Sequence, residues 1–191
     1  MDYNIINKNS IRIVEALNER KAYFSEIYKK TGIKSKNNLL KNLDLLVTNK
    51  VLIKEEKTAN TYYFLNYSNN VLIAILNLIN QIKFEKLPFN IKKSILDCIF
   101  AIKPKVAILF GSYAKDNYQK ESDIDILFFD ALNEKKDSVR EISKNYGVQI
   151  NAIFMGFKEL DLKSESLVHI FKTGYSITGE AYFYNEIKEK I

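Results

Sequence analysis

The sequence is poor in the residues that form disulfides and zinc sites. Its 191 residues include one cysteine, Cys98, and one histidine, His169. A single cysteine cannot form a disulfide within the chain, which is typical of a protein of the reducing cytoplasm. Cys98 lies among isoleucines at helical spacing in residues 90–102, so we interpret it as a buried structural thiol. His169 has no second histidine or cysteine for zinc, and we expect it to pack among apolar neighbours.

The sequence also lacks long hydrophobic runs and flexible linkers. Asparagines and lysines interrupt the apolar runs before membrane-spanning length, and no cationic and apolar leader is present. We therefore expect a soluble, cytoplasmic protein without a membrane partner. The only two prolines, Pro88 and Pro104, mark short breaks in the chain, and we find no repeat or low-complexity tract. Because neither break is a long linker, we expect the domains to be rigidly joined.

Two predicted strands flank a polar loop in the second half of the chain. The apolar run 106–110 ends at Gly111, which predicts a buried strand that leads into a tight turn. Ser112 then begins a helical turn. Free backbone N–H groups and a hydroxyl at a helix start suit the binding of phosphate.

Paired carboxylates begin the second of these strands, which is predicted over residues 124–129. Asp123 and Asp125 point to the same side, because side chains alternate along a strand. Two adjacent carboxylates repel each other unless a cation lies between them. Oxygen ligands of this kind suit Mg²⁺, with a nucleotide phosphate to complete its coordination.

The complete pattern is Gly-Ser, the ten residues 113–122, then Asp-x-Asp. It resembles the signature of the nucleotidyltransferase superfamily that includes DNA polymerase β, and most closely its minimal nucleotidyltransferases. The resemblance covers roughly residues 100–180. It implies a Mg²⁺-dependent enzyme that binds an NTP, with ATP expected, and transfers a nucleotidyl group to a hydroxyl of an unidentified acceptor. By this resemblance Asp123 and Asp125 are the catalytic metal ligands, and the nucleotide-binding residues are Gly111, Ser112 and Ser122. The alternative is two strands and an acidic loop with no chemistry.

Two positions depart from the pattern of that superfamily. Asp116 stands where relatives have a glycine, and aspartate can adopt the left-handed geometry that this bend needs. The third metal-binding carboxylate of active members comes from a later strand, here predicted over residues 148–154, which contains no acid. Gln149 and Asn151 share the polar side of that strand, and we place Asn151 at the third metal position. An amide binds Mg²⁺ weakly and cannot act as a base, so nucleotide binding is expected to survive better than catalysis.

An acid elsewhere in the chain is the alternative source of a third metal ligand. Asp130 and Asp161 are the two candidates that we consider. Asp130 follows the second predicted strand, and Asp161 follows the third.

The positive charge is concentrated at the N-terminal end. The chain carries +6 overall, and residues 1–70 hold twelve basic and seven acidic residues, a net charge of +5. The pattern there predicts a helix capped by Ser10, a second helix over 24–30, a third that begins at Ser35, and a hairpin whose turn is 58–60. Three helices and a hairpin resemble a winged helix-turn-helix domain.

The third of these helices is the predicted recognition helix. Lysines suit DNA phosphates, and asparagine can pair with an adenine edge in the major groove. The predicted DNA-binding residues, all expected to face solvent, are Lys34, Lys36, Asn37, Asn38, Lys41 and Asn42. The alternative is a small helical domain whose lysines are merely solvated and which docks a protein partner.

We therefore predict an α+β protein with three parts. These are a winged helix-turn-helix domain (1–68), a helical connector (69–103) and a polymerase β-like nucleotidyltransferase domain with a small mixed sheet and helices on one side (104–191). The apolar connector helix 69–83 packs within the chain or against a second copy, which would make a homodimer.

Three functions remain open. The chain is an active transferase that modifies a partner toxin, another protein or a nucleic acid; a DNA-binding regulator whose transferase-like domain senses nucleotide; or an adaptor that binds neither.

Overall fold

The computed structural model describes residues 5–18, 20–58, 60–131 and 136–188. It is a mixed α+β protein with two small sheets. The chain divides into two compact units, Met1–Ile79 and Asn80–Ile191. The division falls inside a helix, and the bounds that we predict for three parts remain a prediction.

The first unit contains three helices and a three-stranded antiparallel sheet of order β1-β3-β2. Its elements are α1 (Lys8–Leu17), β1 (Ala22–Tyr23), α2 (Phe24–Thr31), α3 (Lys36–Thr48), β2 (Leu52–Glu56) and β3 (Thr61–Leu65). The predicted hairpin is therefore present, with Leu52 opposite Leu65. Ala59, in its predicted turn, lies outside the described residues. The short strand β1, which pairs with β3, is absent from the sequence prediction because two residues carry no alternation signal.

Two helix starts test the predicted caps. The Ser35 side chain accepts a hydrogen bond from the backbone N–H of Asn38 and caps α3, as predicted. Ser10 does not cap α1, so that prediction is wrong. Asn7 caps this helix by accepting from the N–H groups of Asn9 and Ser10, which leaves Ser10 buried in the first turn. Asparagine and serine are equally good caps, and the sequence offered both.

One predicted surface residue of α3 is buried. Asn42 is only 8% exposed, and its amide donates to the backbone carbonyl and the side-chain oxygen of Asn38 at 2.7 and 2.9 Å. The prediction that it faces solvent and contacts DNA is therefore wrong. The other five predicted residues, Lys34, Lys36, Asn37, Asn38 and Lys41, are exposed.

Two helices follow the first sheet: α4 (Asn70–Glu85), which contains the division between the units, and α5 (Phe89–Ile102). Both are close to their predicted bounds. The buried residues of α5 include Ile91, Ile95 and Cys98, one helical turn or two apart. Burial raises the pKa of the Cys98 thiol to about 12, as expected for a structural cysteine.

The second unit is built on a mixed four-stranded sheet of order β6-β5-β4-β7. Its remaining elements are β4 (Val106–Phe110), α6 (Gly111–Ala114), β5 (Ile124–Phe129), α7 (Lys136–Tyr146), β6 (Ile150–Met155), α8 (Glu165–Thr173), β7 (Tyr175–Thr178) and α9 (Glu180–Tyr182), which continues as a π-helical turn, Phe183–Ile187. β4 is antiparallel to both neighbours, and β6 is parallel to β5. α7 escaped the sequence prediction.

Helices cover both faces of this sheet. On one face, Ile95 and Cys98 of α5 share a core with Leu109, Ile126 and Phe128. On the other face, three phenylalanine rings form a row of neighbours. The Phe129 ring lies 6.0 Å from that of Phe171 in α8, which in turn lies 6.4 Å from Phe183. The expectation of helices on one side is therefore wrong, because β4 and β5 are buried on both faces, as continuous apolar runs require.

Two further observations concern the lone histidine and membrane-spanning helices. His169, expected to pack among apolar residues, is instead exposed on α8. No helix in the described part of the chain is both long and apolar enough to cross a membrane.

We predict that Gly179→Ala destabilises the protein far more than Gly147→Ala. Both glycines have left-handed backbones, with φ of +75° and +62°, so alanine is strained at either position by about 1 kcal/mol. A Cβ at Gly179 would also collide with the backbone carbonyl of Lys105, whereas none of the described atoms lies within 4 Å at Gly147. Chemical denaturation should show a loss above about 3 kcal/mol at Gly179 only. Equal losses would contradict this account.

Candidate active site

The site begins where β4 ends. Phe110, the last residue of β4, lies opposite Asp125 in β5, and Gly111 follows with a φ of +72°. A Cβ on Gly111 would collide with the Asp125 carboxylate, so only glycine allows the chain to turn this close to the acid. Ser112 follows in the short helix α6. Its hydroxyl has no hydrogen-bond partner among the described residues.

The two carboxylates converge on one side chain, as the alternation rule predicts. The Asn151 amide nitrogen donates to Asp123 Oδ2 at 3.3 Å and to Asp125 Oδ1 at 3.1 Å. This contact follows from the strand register, because Asp125 and Asn151 are direct neighbours in the parallel pair of β5 and β6. Gln149 adds a second amide, which donates to Asp123 Oδ2 at 3.1 Å. The two acids are partly exposed, and both amides are exposed.

These side chains fit a divalent cation. The oxygens of Asp123 and Asp125 meet at one point, and hard cations prefer such oxygen ligands. A half-turn of the Asn151 amide group would direct its carbonyl oxygen to the same point, since its two ends are nearly equal in shape. Among the described residues, no group of three or more His, Cys, Asp and Glu side chains could hold a metal. The side chains that converge here are two carboxylates and one amide, and their role as metal ligands stays a prediction.

The alternative third ligands lie elsewhere. Asp130 stands five residues beyond Asp125 along β5, about 16 Å away at the usual strand rise. Its carboxylate accepts a hydrogen bond from the Phe157 N–H at 3.1 Å. Asp161 accepts from the Lys163 N–H at 2.9 Å in a local turn. Asn151 is thus the side chain that contacts both acids, and its place as a third metal ligand stays a prediction.

The loop between Ser112 and Asp123 is folded on itself. Asp116 takes a left-handed φ of +56°, so it adopts the geometry expected where relatives have glycine. The Ser122 hydroxyl accepts a hydrogen bond from the Gln119 N–H at 2.8 Å. The Tyr113 and Tyr118 rings stack 4.4 Å apart. Burial, with nearby Tyr118 and Asp123, raises the pKa of the Tyr113 hydroxyl, which therefore stays neutral at physiological pH.

A basic pair stands beside the Gly-Ser turn and escaped the sequence prediction. Lys115, one helical turn after Gly111, places its Nζ 3.2 Å from Nε2 of His169 in α8. In the tautomer that carries its proton on Nδ1, Nε2 accepts a hydrogen bond from the ammonium group. The four-residue spacing from Gly111 is the only sequence signal for Lys115. None exists for His169, because the pairing depends on how α8 packs near α6.

Comparisons with known proteins agree with this geometry. The family described as "Polymerase beta, Nucleotidyltransferase" matches residues 93–179. A curated relative, the putative protein adenylyltransferase of Methanocaldococcus jannaschii, is 40% identical over 72 residues, which are 34% of this chain and 72% of the relative.

Two solved structures also align with the chain. A toxin-antitoxin solved with AMP-PNP is 20% identical and aligns over 51% of this chain and 84% of its own, with a TM-score of 0.38. The archaeal chromatin protein TrmBL2, whose structure shows a mode of DNA binding, is 12% identical over 80% of this chain and 64% of its own, with a TM-score of 0.31.

The resemblance drawn from the Gly-Ser and Asp-x-Asp motif is thus confirmed at the level of the family. A match that includes all four strands from β4 to β7 covers the strands that carry both acids and Asn151. Members of this family generally use divalent metal ions, in keeping with the oxygen ligands found here. The chain belongs to the polymerase beta nucleotidyltransferase family of enzymes.

Proposed function

We propose that this chain is a Mg²⁺-dependent adenylyltransferase that uses ATP to modify a hydroxyl of a protein acceptor. The observation that carries the proposal is the convergence of Asp123 and Asp125 on one point beside the Gly111-Ser112 turn. Adenylyl transfer and a protein acceptor are supported by the name of the Methanocaldococcus relative. The acceptor, which a partner toxin or another protein could provide, is not identified by any of these observations.

The proposed reaction is a displacement at the α-phosphorus of ATP. The acceptor hydroxyl oxygen forms the new P–O bond, the bond to pyrophosphate breaks, and the hydroxyl proton passes to water. In this proposal Asp123, Asp125 and Asn151 hold the cation. The cation would neutralise phosphate charge and lower the pKa of the attacking hydroxyl.

Each neighbouring side chain has a defined part in this proposal. Gly111 keeps the backbone close to Asp125, so the phosphates can approach the acids. The unpartnered Ser112 hydroxyl is free to donate to a phosphate oxygen. Ser122 Oγ already accepts a hydrogen bond, so it retains only its own proton for the nucleotide. Asn151 bears no charge and takes no proton, which is why we expect slow transfer.

We predict that ATP binds only in the presence of Mg²⁺ and that Asp123→Asn with Asp125→Asn abolishes binding. Without the cation, two carboxylates would face a triphosphate. Isothermal titration calorimetry provides the measurement. Asp130→Asn with Asp161→Asn is the matched control, because it removes the same two charges from carboxylates that accept backbone hydrogen bonds from Phe157 and Lys163, away from the site. Equal affinity of the parent and the Asp123/Asp125 double variant would refute the site.

We also predict that Asn151→Asp tightens Mg²⁺ binding and raises transfer on the order of tenfold, since a third carboxylate adds charge at the metal. Label transfer from radiolabelled ATP to whole-cell extract measures the activity, and calorimetry measures the metal affinity. Gln149→Glu is the control, because it adds the same charge beside Asp123 alone. If the parent turns over rapidly and Asn151→Asp loses activity, the third ligand has been misassigned.

A second proposed function, DNA binding by the first unit, is favoured by unneutralised charge on α3 and on the turn just before it. Lys34, Lys36 and Lys41 are exposed, and none of them forms an ion pair with a described residue. In the hairpin, by contrast, Lys54 lies 2.7 Å from Glu56, and Lys57 lies 3.4 Å from Glu55. Three helices followed by this hairpin support a winged helix-turn-helix reading. With a weak transferase site, such a protein would act as a DNA-binding nucleotide sensor.

We predict that Lys36→Ala with Lys41→Ala weakens duplex DNA binding and reduces its salt dependence. Each lost phosphate contact should lower the slope of log K against log salt by roughly 0.9. Lys54→Ala with Lys57→Ala removes the same charge from lysines that are already paired, and should change binding less. Fluorescence anisotropy across a salt series provides the measurement. If the parent shows no binding at low salt, the DNA proposal fails and the adaptor alternative gains.

A further inference from the structure

Helix α5 carries an apolar stripe on its outer side. Phe89 and Phe100 are 77% and 80% exposed, well above every other large hydrophobic residue of the described chain, and Leu96 between them is 43% exposed. The spacings of seven and four residues place all three on one side of the helix. The opposite side is the one that packs into the core through Ile91, Ile95 and Cys98.

Such exposure is unusual for phenylalanine. A large aromatic ring gains from burial, and a contiguous apolar patch on a soluble domain marks an interaction surface more often than a chance arrangement. The core of the second unit does not need these rings, because Phe89 and Phe100 project away from it. Packing within the second unit therefore does not explain why the stripe is apolar, whereas contact with a binding partner would.

We propose that the α5 stripe is a homodimer interface, in which two copies of the chain pair their α5 helices antiparallel about a two-fold axis near residue 94. In that arrangement each Phe89 faces the Phe100 of the other copy, and each Leu96 faces the aliphatic part of the other Lys93. The residue numbers of each facing pair add to the same value, so the stripe is complementary to itself. Isologous contacts require this property.

The charges of α5 favour an antiparallel over a parallel pair. The helix has two cations, Lys92 and Lys93, in its first half and one acid, Asp97, in its second half. Within one copy, Lys92 lies 2.6 Å from Glu85 and Lys93 lies 2.8 Å from Asp97, so the charges set the orientation more than the strength of the pair. An antiparallel pair sets the lysines of one copy beside the acid of the other, whereas a parallel pair sets like charges together. Asp97 is fixed in place because its carboxylate accepts from Tyr146 at 2.6 Å and from Lys93 at 2.8 Å.

The size of the surface suits a reversible dimer. A phenylalanine buries roughly 150 Å² or more when it is fully covered. Four rings from two copies, with Leu96 and the lysine stems, approach the roughly 1,000 Å² at which specific interfaces begin. We therefore expect a dimer that dissociates in the micromolar range.

Sedimentation of the full chain across the micromolar range tests the interface. The parent should convert from monomer to dimer, and Phe100→Asp should weaken the association at least about tenfold, as expected for a buried aromatic anchor. Because Phe100 is exposed, the variant should fold, which circular dichroism can verify. Ile53→Asp, at an exposed position in the hairpin of the first unit, is the control. A monomeric parent, or an equal loss in the control, overturns the proposal.

Cross-linking tests the orientation. Phe89→Cys and Phe100→Cys variants are prepared separately and mixed. The native Cys98 can remain, because it is buried and its thiol pKa is raised to about 12. An antiparallel pair predicts efficient disulfides in the mixture and few in either variant alone. Efficient cross-linking of each variant with itself would indicate a parallel pair and overturn the proposed geometry. The readout does not depend on nucleotide, metal or DNA, so it is separate from the proposed functions.

Discussion

The organisation of the second unit depends on the placement of two like charges side by side. Asp123 and Asp125 lie at the start of β5 and share one side of the sheet, where their mutual repulsion opposes the fold. The Asn151 amide offsets it by donating to both carboxylates, and Gln149 donates to the first. These donors carry only partial charge, so the acids remain able to attract a cation. The protein thus holds a region of negative potential that two amides stabilise without neutralising.

The sheet determines where Asp123 and Asp125 lie. β4 and β5 are buried on both faces, so their register is fixed by packing, and Gly111 must turn directly against Asp125. The parallel pairing of β5 with β6 then sets Asn151 opposite Asp125. Because side chains alternate with a period of two, a slip of one residue would turn Asn151 away from the acids. The positions of the side chains in the site therefore depend on the strand register. The register in turn depends on the apolar residues of β4 and β5, which are buried under helices on both faces of the sheet.

Much of this was predictable from the sequence because the signals are local. The apolar runs of β4 and β5, the Ser35 cap and the motif from Gly111 to Asp125 each occupy one short continuous stretch of the chain. The errors have two causes. Asn42 lies three residues after Leu39 and four before Leu46, so helical spacing already placed it on the buried side of α3. The environment of His169 instead depends on how α8 packs near α6, which no local pattern encodes. α7 was missed for a related reason. Its described residues bury only Val139, so its apolar signal is weak and the helix depends on α5 for stability.

Asn151, the neutral residue that contacts both acids, has different consequences for nucleotide binding and for catalysis. In the proposed function, nucleotide binding would draw on the carboxylates and the Gly-Ser turn of this chain, together with a cation from solution. Chemistry depends in addition on how strongly the cation activates the attacking hydroxyl, and this falls when one of three charges is replaced by an amide. In this proposal, replacing the third carboxylate by an amide would lower the affinity for nucleotide less than it lowers the rate of transfer. Under the proposed function, an amide at the third metal position would give a slow enzyme that still binds nucleotide, and the exposed lysines of α3 would carry the proposed contact with DNA.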